Sequence, residues 1–287
     1  MNDFLATHQL PDNFAETVSQ CFLPLAEKIT MAMAEHGSTF YVAVNGCQGS
    51  GKSTLSAFLG EWFSASGLKV AVLSLDDFYH DRKTRLQLAT QISPLLATRG
   101  VPGTHNTDLM ARTLRTMSTP ESIRLPRFNK ATDNPYAERE WPEVTGPVDL
   151  VIMEGWCWGV TAQSPLQLRY PVNALEAEQD ANLIWRNWVN QQITAHYEPL
   201  YSLMNYWVML KAPGFDNVFQ WRLEQEQKLS AKIKDSDKSR VMDESGILQF
   251  IQFYQRLTEE CLNSLPQRCD VVFELDDHRN IYATSGL

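Results

Sequence analysis

Residues 46–54 read Gly46-Cys47-Gln48-Gly49-Ser50-Gly51-Lys52-Ser53-Thr54, which satisfies the pattern G-x-x-x-x-G-K-[ST]. No other stretch restricts the fold as much, because this pattern works only between a buried strand and the start of a helix. Its glycines let successive backbone N–H groups turn inward around an anion, where a Cβ would obstruct them. The following helix offers unpaired N–H groups and the positive end of its dipole. Lys52 supplies charge to the β- and γ-phosphate oxygens, and the Ser53 hydroxyl is suited to ligate Mg2+. ATP and Mg2+ are therefore the expected ligands of this segment.

The flanks meet that requirement. Phe40-Tyr41-Val42-Ala43-Val44 is short, aromatic and β-branched, and it stops at Gly46, as a buried strand does. Helical spacing resumes over residues 55–64, and Gly67 closes it. Runs at 70–75, 148–153, 206–210 and 271–275 are apolar throughout rather than alternating, the pattern of strands covered on both faces of a parallel sheet. The segments between them can hold helical crossovers. The expected fold class is α/β, a doubly wound, mainly parallel sheet with helices on both faces.

Around this frame, one domain over residues 1–287 is expected. Residues 12–36 carry Phe14, Val18, Cys21, Phe22, Leu25, Ile29 and Met33 at helical spacing up to Gly37, so 1–37 reads as an N-terminal helical segment. Residues 243–265 read as a helix with Ile247, Phe250, Ile251, Tyr254 and Leu257 on one face. The polar, Pro- and Gly-containing stretch 76–146 follows the second strand and holds a helix near 107–117 and short strands near 122–125. It is expected to build an acceptor pocket beside the strand ends.

Composition narrows the partners. The formal charge is −9 and no long basic run is present, which disfavours nucleic acid and anionic membranes. The longest apolar runs are far too short to cross a bilayer. The five cysteines (Cys21, Cys47, Cys157, Cys261 and Cys269) are scattered, with no Cys-x-x-Cys pair, so neither zinc nor a disulfide framework is suggested. The N-terminus has no basic region followed by an apolar core, so a reducing, cytosolic protein is expected, a monomer or homodimer with small-molecule ligands.

Acids at the strand ends add chemistry to the loop. The second strand closes on Asp76 and Asp77, and the third on Glu154-Gly155. A hydroxyl must lose its proton as it attacks phosphorus, and Asp76 is read as the base that accepts it. Asp77 is read as a ligand of Mg2+ or of its water, and Glu154 as an acid that orients the metal. The alternative for the pair is a helix N-cap, and for Glu154 the start of a loop.

These elements resemble the phosphoribulokinase/uridine kinase/pantothenate kinase branch of P-loop kinases. Within it the chain is similar to the D-glycerate 3-kinase family. The likeness lies in Leu73-Ser74-Leu75-Asp76-Asp77-Phe78-Tyr79, Arg99-Gly100-Val101-Pro102-Gly103-Thr104-His105, Pro126-Arg127-Phe128-Asn129-Lys130-Ala131, Trp141-Pro142-Glu143-Val144, Glu154-Gly155-Trp156-Cys157 and Trp221-Arg222-Leu223-Glu224-Gln225-Glu226. The resemblance implies an ATP-dependent kinase whose acceptor is a small, anionic metabolite, D-glycerate first. It implies that Arg99, His105, Arg127 and Lys130 contact the acceptor together with Asp77, and that Arg222 opens a small helical lid over about 222–242 and reaches the transferring phosphate. Lys228, Lys232 and Lys234 fit that lid or an exposed helix face. The family's Gly-[ST]-His-Asp ends here in Asn106, and its Arg-[FY]-Asp-Lys carries Asn129, so the acceptor is the open question. A pantothenate- or uridine-like acceptor, or an ATP-binding regulatory protein with slow hydrolysis, are the other readings.

Several residues have no assigned chemistry. Trp156 and Trp158 wall the acceptor pocket or pack the sheet end. Cys47 reads as inert, His80 as a substrate contact or an exposed loop residue, and Trp185, Trp188 and Tyr197 as core.

Overall fold

A seven-residue strand, β1 (Phe40–Gly46), is buried at every position and runs through the interior of a six-stranded sheet. The computed structural model describes residues 2–232 and 244–287, with the backbone alone for 2 and 225–232. Beside β1 lie β2 (Val70–Ser74), β3 (Leu150–Gly155), β4 (Tyr206–Lys211), β5 (Val271–Leu275) and β6 (Ile281–Ser285), in the order β6-β5-β4-β1-β3-β2. β1 pairs in parallel with both β3 and β4, through Asn45↔Gly155 and Asn45↔Met209. The chain thus leaves β1 in one direction to build β2 and β3 and returns on the other side for β4, which opens a crevice at the C-terminal end of β1.

Each sheet face is covered, as the apolar runs predict. Val42, Val44, Ile152 and Val208 pack with Leu25 and Ile29 of α1 (Leu23–His36) and with Leu55 and Leu59 of α2 (Lys52–Ala65). Ala43, Leu73, Val151 and Met153 pack on the opposite face with Met110 and Leu114 of α3 (Thr107–Thr116), Val189 of α4 (Ile184–Gln192) and Leu257 of α6 (Glu244–Ser264). α1 continues a helical run from Phe14 through a π-turn at Val18–Phe22, and Gly37 closes it in the left-handed conformation at φ 70°.

Two features depart from the expectation. β2 is an edge strand, half-exposed at Val70, Val72 and Ser74, because β3 inserts between it and β1. Its run is apolar throughout, so periodicity alone did not separate it from a central strand. β6 was not expected at all. It is antiparallel to β5, exposed at most positions and lacks an apolar run, so it carries no burial signal.

A helical block between β3 and β4 is joined to α6 by buried charge. Glu176 accepts from Arg256 at 2.7 and 2.6 Å and from Arg186 at 3.0 Å, and Arg186 also reaches Asp180 at 3.1 Å. Arg256 donates further to Gln163 and to the carbonyls of Gln167 and Tyr170. A carboxylate buried this deeply tolerates only a packing that keeps its guanidinium partners, so the cluster sets how α6 lies on the block.

Helix α5 (Phe215–Lys232) carries Arg222 and the start of the expected lid. Residues 233–243, including Lys234, lie outside the described residues, as do the side chains of Gln225, Glu226, Lys228 and Lys232. Among the described residues no helix is long and apolar enough to cross a membrane.

Candidate active site

The phosphate loop bridges β1 and α2, and its backbone takes the expected turn. Gly49 and Gly51 adopt φ 83° and 92°, the left-handed region that other residues enter at a cost. A Cβ on Gly46 would run into Ser50 Oγ. The buried Gln48 Oε1 and Ser50 Oγ have no protein partner among the described residues. Thr54 lies in the first turn of α2. Cys47 is buried, and burial pushes its thiol up to about 12, so it stays a thiol, as read.

Glu154 stands at the end of β3, facing the start of α2. Its Oε1 accepts from Ser53 Oγ at 2.9 Å, and its Oε2 lies 3.9 Å from Lys52 Nζ with no hydrogen bond, although buried. A hydroxyl and a carboxylate side by side are hard oxygen donors, and Mg2+ binds through one or two such groups with the rest of its shell from phosphate and water. Ser53 and Glu154 therefore fit Mg2+. An open cleft of about 490 Å3 begins at Ser53, Glu154, Ser74, Asp77 and Arg127 and continues between α2 and β2.

The two acids after β2 have opposite environments. Asp76 Oδ2 accepts from Lys130 Nζ at 2.6 Å, and Oδ1 accepts from Tyr79 Oη at 3.1 Å. Burial raises its pKa, but the charges of Lys130 and Lys52 and the Lys130 hydrogen bond outweigh that and hold it below the usual carboxylate value. Asp77 accepts from the Phe128 N–H at 3.1 Å and from Arg127 at 3.3 Å. Its pKa is raised, first by burial and further by Asp76, against the pull of Arg127 and of the Phe128 N–H. Adjacent carboxylates pushed apart in this way can serve different roles.

The structure brings the sequence-derived acceptor residues to this one region, each already engaged. Lys130 holds Asp76 and Arg127 holds Asp77. Arg99 pairs with Asp133 and lies 5.7 Å from the Phe128 ring centroid. Asp133 also receives the buried Arg85 at 2.6 Å. His105 is buried, forms a bridge with Tyr79, stacks on its ring at 4.3 Å and contacts Tyr197 Oη through Nδ1 at 2.7 Å.

Arg222 lies over the Phe250 ring at 5.8 Å. Its charge acts on the Tyr254 phenol together with those of Asp76 and Arg99, while burial raises that phenol most. Tyr254 Oη donates to the Arg99 carbonyl at 3.1 Å and so stands between the acceptor loop and α5.

The two departures from the family pattern have local structural jobs. Asn106 Oδ1 caps α3 by accepting from the Leu109 N–H at 3.0 Å. Asn129 Oδ1 accepts from the N–H groups of Ala131 and Thr132, at 3.0 and 3.3 Å. An aspartate caps and turns through the same oxygen, so either residue serves.

Sequence reasoning missed Tyr79, Asp133 and Tyr254; Tyr197, read as core, is buried in the core and also contacts His105. Tyr79 sat within a quoted motif, but nothing along the chain ties Asp133 to Arg99 or Tyr197 to His105. Trp156 and Trp158 are buried and pack edge-on against Tyr254 and Tyr201. Trp185 is core, and Trp188 covers Gly103, where a Cβ would strike its ring. His80 is half-buried, and its backbone N–H donates to the Thr104 carbonyl at 2.9 Å.

Comparison with known proteins agrees with the fold. The model of the phosphoribulokinase/uridine kinase family matches residues 41–186. An uncharacterised kinase of Schizosaccharomyces pombe is 28% identical over 228 residues, covering 76% of this chain and 79% of that protein. The chloroplastic D-glycerate 3-kinase of Arabidopsis thaliana is 31% identical over 189 residues, 62% of this chain and 39% of that protein. A solved D-glycerate 3-kinase from Cryptococcus neoformans var. grubii shares the fold at a TM-score of 0.77 and 24% identity, covering 93% of this chain and 99% of that one.

Proposed function

This chain belongs to the phosphoribulokinase/uridine kinase family and is an ATP-dependent phosphotransferase, and from that premise we propose that its acceptor is the hydroxyl of a small anionic metabolite, D-glycerate first. The observation that carries the reading is Asp76 joined to the exposed Lys130 at 2.6 Å, beside the phosphate loop. An acceptor carboxylate that draws Lys130 toward itself uncovers Asp76 just as the hydroxyl arrives. Asp76 then accepts the hydroxyl proton, its affinity for that proton rising as the ammonium recedes. Lys52 and the loop N–H groups hold the phosphates; Ser53 and Glu154 are the residues that would hold Mg2+, which would supply charge neutralisation to the phosphates when bound. Arg99 offers a guanidinium to the acceptor carboxylate, and Arg222 closes from α5. The name of the Arabidopsis relative supports D-glycerate.

A panel measuring ADP release with D-glycerate, pantothenate, uridine and hexoses tests the acceptor. D-glycerate is expected to give the highest kcat/KM. A higher value with pantothenate or uridine overturns it, and slow ADP release that no acceptor stimulates points to a regulatory ATPase.

Lys130→Met tests the uncovering step through pH. Asp76 has a depressed pKa, so the wild type keeps its ionised base well into acid. Without Lys130, burial is less opposed, the pKa rises, and the acid limb of the kcat profile moves to higher pH. An unmoved acid limb removes Lys130 as the control on Asp76.

A further inference from the structure

His105 and Tyr197 form a closed hydrogen-bond problem. Tyr197 is fully buried, and its Oη accepts from the Gly103 N–H at 3.1 Å and lies 2.7 Å from His105 Nδ1. Burial lowers the His105 imidazole to about 3 and raises the Tyr197 phenol well above 10, so at neutral pH the pair holds one ring proton and one phenol proton. On the far side of the ring, Nε2 is buried with no hydrogen-bond partner among the described residues.

Only two arrangements are open. With the ring proton on Nδ1, Tyr197 Oη receives two donors, its own proton has no acceptor among the described residues, and Nε2 is a bare lone pair. With Tyr197 donating to Nδ1, every group in the pair is used except Nε2–H. A buried polar group left unpaired is costly, and the second arrangement leaves one such group where the first leaves two, so the second is preferred.

The ring is also fixed in direction. It stacks on Tyr79 at 4.3 Å with 20° between planes, and Tyr79 Oη is bonded to Asp76. Through Tyr79 the ring and Asp76 thus belong to one connected cluster.

We infer that His105 is held as the Nε2–H tautomer and presents that proton to an oxygen of the acceptor, with Tyr197 as the positioning residue that selects the tautomer. The inference rests on the reading of the Asp76 side as the acceptor site. It narrows the acceptor chemically. Asp76, ionised, only accepts hydrogen bonds, and His105 Nε2 only donates. A hydroxyl that donates to Asp76 and a second oxygen that accepts from His105 satisfy both, as in a hydroxy acid or polyol. An amino group in place of the second oxygen sets donor against donor and is rejected. Nε2 is screened from water, so the acceptor reaches it once side chains around Asp76 move, and Lys130 is the exposed one among them.

The test uses the full chain with 15N-labelled histidine, the His105 signal being assigned by its loss in His105→Gln. Long-range proton–nitrogen correlations are expected to show the Nε2–H pattern with no titration between about pH 5 and 8. Tyr197→Phe removes the phenol proton, so the tautomers mix, and KM for D-glycerate is expected to rise roughly tenfold while KM for ATP holds. The glutamine amide of His105→Gln reaches the Nε2 position and that of His105→Asn the Nδ1 position, so the glutamine variant should lose less acceptor affinity. An Nδ1–H pattern, a ring that titrates near its ordinary value, or an asparagine variant better than the glutamine one overturns the inference. If D-glycerate is not phosphorylated at all, the acceptor reading fails, and the tautomer pattern by itself still upholds or sinks the assignment.

Discussion

Replacing Asp76 with asparagine is expected to lower kcat by roughly 1,000-fold or more while the Kd for ATP changes by less than about threefold. The amide keeps the shape and can still accept from Tyr79, so the pocket has no reason to collapse. What it loses is basicity. The wild-type carboxylate is ionised because Lys130 and Lys52 overcome the effect of burial, and the substituted amide cannot hold a proton on that oxygen. No neighbouring acid can substitute, since Asp77 is bonded to the Phe128 N–H and to Arg127. Single-turnover phosphorylation and calorimetric ATP titration separate the two effects. Turnover within tenfold of the wild type would falsify the assignment of Asp76 as the base.

Lys52→Met is expected to act on both halves of the reaction. The first loss is the cation that meets the β- and γ-phosphates, and kcat/KM for ATP should fall by roughly 1,000-fold. The second is subtler, because the charge of Lys52 also lowers Asp76. Without it the residual activity should show its acid limb at higher pH, a shift that a purely ATP-binding lysine does not produce. Glu154 also loses the ammonium 3.9 Å from Oε2, so the Mg2+ dependence of the remaining activity should change. The contrast with Asp76→Asn is diagnostic: one variant keeps ATP affinity and the other does not. Unchanged ATP affinity in the methionine variant would exclude Lys52 from the phosphate site.

Legibility along the chain followed burial and locality. β1, the phosphate loop and α2 are contiguous, and their local pattern is what the function needs, so Gly46, Lys52 and Ser53 could be placed directly. Asp76 and Glu154 were reachable because each ends an apolar run that forms a strand, β2 at the sheet edge and β3 in its interior. β6 was not, since an exposed antiparallel strand held by pairing with β5 leaves no apolar trace. The acceptor residues show a different limit. Arg99, His105, Arg127 and Lys130 stood in recognisable motifs, yet their partners are set by tertiary structure. Asp133 lies 34 positions from Arg99, and Tyr197 lies 92 from His105. The amides at Asn106 and Asn129 looked like changes of specificity because a motif records residue types and not what they bond. Their oxygens serve backbone N–H groups, which the chain order alone does not reveal.

Those two caps also bear on how quickly an anion arrives. Between Arg99 and Asn134 the chain carries six Arg and Lys residues against three Asp and Glu, within a protein of net charge −9. Had both caps been aspartates, two more negative charges would lie in that segment without altering either turn. Amides keep the formal balance of that segment at three positive charges instead of one, and a difference of two charges acts on a small anion over distances near the Debye length, about 8–10 Å at moderate salt. The neutral caps thus bear on the capture rate rather than on the strength of holding, and this contribution fades as ionic strength rises.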